Sequence, residues 1–197
     1  MAKRDNYQQI ILAAKQLFLN YGISKTTIED IAKAVGKGKS SLYYYFTTKE
    51  EIIEAVLVRE RQAWIEQINK EIALLSTSES KLKLVAHLVT AHIEDQKDVF
   101  LQILKDDSDF RSYMPIVRQL KEKYKASEYQ MINIIISDGI NSGEFSEKHK
   151  DKINHFTVLF LNNLKSPLYF RSSDCSEVFA AIAVFTEMFI RFLKNSD

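Results

Sequence analysis

The chain has 197 residues, 46% of them hydrophobic and 27% charged, and a formal net charge of +1. That balance buries a sizeable core and excludes a disordered or fibrous protein. Five glycines, two prolines and a single cysteine leave little material for hairpins or barrels and none for an internal disulfide, so the composition points to an all-α protein in a reducing, cytoplasmic setting.

The charge is unevenly spread. Residues 1–50 hold eight Lys/Arg against four Asp/Glu, and residues 51–197 hold nineteen against twenty-two. A basic front and a mildly acidic body suggest a nucleic-acid-facing module joined to a part with another task. The N-terminus turns polar at once, without the apolar stretch of a secretory signal. The apolar run over 178–193 is broken by Glu187 and Arg191 and is shorter than the ~20 residues of a membrane span. No membrane partner is expected.

In chain order, Ile10, Ile11, Ala14, Leu17, Phe18 and Tyr21 recur at helical spacing, which predicts a helix over 7–20 stopped by Gly22. Thr26 with Glu29 reads as a capping box that opens a short helix over 27–35, ended by Gly36. A second short helix is predicted over 39–46. Thr47 or Thr48 then caps a long helix toward residue 75, with Glu50 and Glu51 in its first turn. Further amphipathic stretches cover 79–94, 99–105, 112–140, 148–170 and 176–194, with polar turns at 106–109 and 141–144. About nine helices are expected.

The pair of short helices carries the function. A helix-turn-helix needs a small residue where its helices cross, a turn glycine and an apolar anchor on the second helix; Ala32, Gly36 and Leu42 fill these places. With Leu42 and Phe46 inward, Lys39, Ser40, Tyr43 and Tyr44 fall on the open side, where hydroxyls suit phosphate oxygens and ring edges suit thymine methyls. Tyr45 reads equally as a contact or as core.

Residues 26–52, TTIEDIAKAVGKGKSSLYYYFTTKEEI, resemble the DNA-binding signature of the tetracycline-repressor (TetR) family. The resemblance implies a cytoplasmic, all-α dimeric repressor. An N-terminal three-helix DNA-binding domain over 1–48 would precede a helical effector-binding and dimerisation domain over 49–197. It further implies that Thr27 and Lys49 clamp phosphates, that Lys39, Ser40, Ser41 and Tyr43 reach the major groove, and that Tyr44 and Tyr45 meet the backbone. Lys37 and Gly38 depart from the family pattern, which usually has an apolar residue and then a Ser or Thr cap. The alternative is a helical ligand-binding or scaffolding protein whose motif no longer reads DNA.

Other chemistry is poorly provided for. Gly38-Lys39-Ser40 ends like a P-loop, but Lys33 stands where that motif needs glycine and no strand precedes it. His87 and His92 are five apart, and His149 and His155 six apart, so neither pair shares a helical face as metal ligands would. No cofactor, metal or catalytic group is expected. The last helix is apolar on two sides, which predicts a second subunit on it; Ile182, Phe185 and Phe189 are the expected dimer residues. By similarity to family members that sense small molecules, Tyr113, Met131, Ile135, Phe156, Phe160 and Asn163 are candidate linings of a pocket for an apolar or amphipathic effector. A symmetric dimer would present two recognition helices about 34 Å apart to a near-palindromic operator of double-stranded DNA.

Overall fold

A computed structural model describes the backbone of residues 2–103, 107–164 and 175–195. Side chains are described throughout these except at 2–4, 92–103, 107–112, 121, 163 and 175. Among the described residues there is no strand. Eight α-helices follow one another in these residues: α1 (Ala2–Tyr21), α2 (Ile28–Ala34), α3 (Lys39–Tyr43), α4 (Lys49–Ile72), α5 (Ser78–Ile103), α6 (Asp107–Asn141), α7 (Ile153–Leu164) and α8 (Cys175–Lys194). A short 3₁₀ segment over Glu147–Lys152 leads into α7.

Several boundaries differ from the sequence reading. The helix predicted over 79–94 continues without a break to Ile103, and Asp107 to Asp109, read as part of a polar turn, form the first turn of α6. Acidic residues are at home there, beside the positive end of the helix dipole. The stretch over 148–170 begins as the 3₁₀ segment, and its end beyond Leu164 lies outside the described residues. No helix among them is long and apolar enough to cross a membrane.

The chain divides into two compact units, one of residues 1–65 with 96–121 and the other of residues 66–95 with 122–197. The first is built around Ile10, Ala14, Phe18, Ile31, Leu42, Ile52 and their neighbours, all closed to solvent. Tyr7 stacks on Phe46 at 4.9 Å, Lys15 pairs with Glu60 at 2.6 Å, and Arg59 donates to Gln8. These contacts hold α1 against α4 and the end of α3.

The second unit closes at one end through the loop after α6. The Glu144 carboxylate accepts hydrogen bonds from the Ser78 and Glu79 amides, both at 2.7 Å, and so caps α5 from 65 residues away. Gly139 lets Phe145 lie flat against α6; an added Cβ would stand 2.3 Å from that ring. Glu79 also receives Lys83 and Lys194, and the two ammonium groups, Lys194 foremost, hold its carboxyl below the usual range.

The C-terminal end of α8 is finished by a buried histidine. His149 is 3% exposed, its Nε2 lies 3.0 Å from the Phe192 carbonyl, and the Ser146 amide donates to the Leu193 carbonyl at 2.8 Å. Carbonyls that end a helix without partners are thereby satisfied.

Candidate nucleic-acid interface

The chain leaves α1 at Gly22, whose φ of +86° is cheap only for glycine. The Thr26 side chain is buried, and its hydroxyl donates to the Gly22 carbonyl at 2.8 Å. Thr26 therefore closes the turn after α1 and is not available as the cap of α2. The capping box instead joins Thr27 and Asp30: the Thr27 hydroxyl accepts from the Asp30 amide, and the Asp30 carboxylate accepts from the Thr27 amide at 3.0 Å. This corrects the Thr26–Glu29 pairing by one register. The hydroxyl of Thr27 also donates to the Asp30 carboxylate at 2.7 Å, and these bonds pull the Asp30 carboxyl down.

From α2 the motif turns at Gly36, with φ at +65°, and enters α3. Ala32 and Leu42 are both closed to solvent, 2% and 0% exposed, so the crossing of the two helices is dry. Gly38 caps α3 without a side chain to help. At the start of α4, the Thr48 hydroxyl accepts from the Glu51 amide at 3.2 Å. The Glu51 carboxylate accepts from the Thr47 amide and hydroxyl, which lowers its own titration.

Ser40, Ser41, Tyr43 and Tyr44 lie exposed on the outer side of α3 and its C-cap, with Tyr44 open by 68%. Lys39 is exposed as well, but its ammonium is taken: it pairs with Glu29 of α2 and stands 5.8 Å over the Tyr43 ring. Tyr45 is half-buried, packs against the core of the first unit and accepts from the Asn6 side chain at 3.4 Å. Of the two readings open for Tyr45, the packing favours core. Lys49 is half-buried, and its Nζ donates to the carbonyls of Ile23 at 2.9 Å and Thr26 at 3.3 Å. It fastens α4 to the turn between α1 and α2. Lys37 stands half-buried behind the turn.

Sequence reasoning treated Glu29 as a cap and missed its bond to Lys39. The nine residues between them include a turn, so only the angle between α2 and α3 brings the two charges together.

Elsewhere the predicted residues scatter. Tyr113 is buried in the core of the first unit, among the helix-turn-helix side chains, and so belongs to packing there. Met131 is half-buried and Ile135 buried, both in the second unit. Phe156 and Phe160 pack with Phe185, Phe189 and Phe192 of α8 in one aromatic cluster, with ring centroids 5.1 to 6.4 Å apart. The side chain of Asn163 lies outside the described residues. In α8, Ile182 and Phe189 are 1% and 7% exposed, turned into the unit's own core, and Phe185 is half-buried. Among the described residues, large apolar side chains left open include Val184, Met188 and Phe192 on α8, Val158 and Leu159 on α7 and Ile134 on α6.

A short, hydroxyl-rich helix seated outward on a dry two-helix crossing defines a helix-turn-helix DNA-binding protein. Residues 10–56 match the family model for bacterial regulatory proteins of the tetR family, and residues 59–193 match that for the C-terminal region of QacR-like proteins. The chain belongs to the TetR family and is a DNA-binding transcriptional regulator, not an enzyme. It is 23% identical to the HTH-type transcriptional regulator QacR of Staphylococcus aureus over 189 residues, covering 95% of this chain and 97% of the relative. With the fatty acid metabolism regulator protein of Bacillus subtilis it shares 26% over 145 residues, 74% and 73% of the two chains. A transcriptional regulator of Cytophaga hutchinsonii superposes with a TM-score of 0.75 at 29% identity, covering 95% of this chain and 98% of the other. Regulators of this family respond to small-molecule effectors, and like them this protein binds operator DNA as a dimer.

Proposed function

We propose that the protein is a cytoplasmic, ligand-responsive repressor that holds a near-palindromic operator with two copies of α3 and lets go when an effector changes the spacing of the two DNA-reading domains. The observation that carries this reading is the exposed outer side of α3, where Lys39, Ser40, Ser41, Tyr43 and Tyr44 converge over the buried Ala32–Leu42 crossing. Residues 1–48 form the DNA-binding domain in this reading, and residues 49–197 bind effector and partner. Lys49 holds one phosphate, and Thr27 holds another by turning its hydroxyl from the Asp30 carboxylate to the DNA. The ammonium of Lys49 has three donors, two of which bind carbonyls, and the third is left for a phosphate.

The partner subunit covers Val184, Met188 and Phe192, with Leu159 of α7 beside them. Ile182 and Phe189 support that face from beneath, and Phe185 bridges the two layers. An apolar or amphipathic effector enters among Met131, Ile135, Phe156 and Phe160. A relative named for fatty acid metabolism fits that chemistry.

The test is a titration of the DNA flanking the protein's own gene at several salt concentrations. A specific complex should exceed random DNA in affinity by about 10³-fold or more, with a steep loss as salt rises. Equal affinity for both DNAs would overturn the reading.

A further inference from the structure

Glu29 is an acid on the face that meets a polyanion, where sequence-blind attraction alone would favour another lysine. Its carboxylate reaches from the first turn of α2 to the Lys39 ammonium at the first residue of α3, and the ammonium also lies over the Tyr43 ring. Both side chains remain about half exposed, 44% for Glu29 and 50% for Lys39, so neither is consumed by packing. Each charge steadies the other: the pairing holds the Glu29 carboxyl low and raises the Lys39 ammonium, so both stay ionised at neutral pH.

A donor and an acceptor fixed side by side match the edge that one G·C pair shows in the major groove, where guanine offers N7 and O6 and cytosine offers its N4 amine. Lysine donates to the first and a carboxylate accepts from the second. No such complement exists for a phosphate, which the carboxylate repels.

We propose that Glu29 is a specificity-determining residue that, together with Lys39, reads one G·C pair in each half-site and holds Lys39 back from phosphates of other sequences. This rests on the DNA-binding reading above. Away from the operator, Lys39 stays with Glu29 and adds nothing to sequence-blind affinity. At the operator the pair opens just far enough to share its charges with the two base edges.

The experiment is selection from a randomised DNA library with the wild-type dimer, E29Q and K39M, each checked for an unchanged melting temperature, followed by titration of random-sequence DNA. Wild type should enrich a near-palindrome with one fixed G·C pair per half-site, and in both variants that pair alone should relax. E29Q should also bind random DNA roughly 3- to 10-fold more tightly, with a salt slope steeper by about 0.9 per protomer as Lys39 turns to phosphate. If E29Q enriches the same site and keeps the wild-type affinity for random DNA, the proposal fails and DNA binding stands. If wild type enriches nothing, the reading beneath it fails too.

Discussion

Lys49 and Thr27 stand at the start of their helices, where phosphate contacts are expected, yet both also hold the motif together. The Lys49 ammonium donates to two carbonyls of the turn after α1, that of Thr26 and that of Ile23, which also accepts from the Thr26 amide. K49M should therefore lower stability by about 1–2 kcal/mol in urea unfolding. It should also flatten the log–log salt dependence of operator binding by about 0.9 per protomer. A destabilised variant with an unchanged slope would leave Lys49 a fastening residue only.

The carboxyls of Asp30 and Glu51 titrate below their ordinary values because Thr27 and Thr47 donate to them. A depressed folded value stabilises above the unfolded one and is lost as the pH falls through it. The helix-turn-helix should therefore keep this support at neutral pH and lose it below about pH 4. Acid titration followed by circular dichroism checks the sign; stability unchanged from pH 5 to 3 would contradict it. None of these partners is remote in sequence except Lys49, and that distance explains which were legible. Caps act over three or four residues, so Thr27 and Glu51 could be placed to within a residue, whereas the 26 positions from Ile23 to Lys49 are spanned only by the folded chain.

Among the elements, the helices were legible wherever apolar spacing ran unbroken, and the start of α5 and the ends of α1 and α8 were placed to within a residue, but several other boundaries were not. The periodicity of α1 and α8 located both helices, but neither the merging of two predicted stretches into α5 nor the 3₁₀ start before α7 leaves a pattern of side chains. Long-range caps hold two of the ends that were placed. Glu144 fixes the start of α5, and Ser146 with His149 finishes α8. Gly139 shows the same dependence on tertiary contact. Exchanging a helical glycine for alanine normally gains about 1 kcal/mol. Here the new Cβ would meet the Phe145 ring at 2.3 Å and Ser78 at 2.9 Å. G139A should instead destabilise by about 1–3 kcal/mol, measured by thermal or urea unfolding. A gain in stability would mean that Phe145 moves aside freely.

For the molecule as a whole, the decisive question is which apolar side of α8 serves the chain itself and which serves a second copy. Met188 is 65% exposed, so M188D should leave the protomer folded, turn the dimer to monomer in sedimentation and weaken operator binding at least about tenfold. A dimeric M188D would move the interface elsewhere. The two-sided pattern was visible in the sequence, but the expected residues Ile182 and Phe189 proved to be the inner side. By itself the sequence determined the all-α class, the helix-turn-helix with Ala32, Gly36 and Leu42, and the exposed side of α3, because these follow from helical periodicity and turn chemistry over a few residues. Only the tertiary structure decided that Tyr113 packs beneath the motif, that Lys49 fastens a turn and that Glu29 holds Lys39. Burial and charge pairing depend on which helices meet and at what angle, and no local pattern in the chain carries that angle.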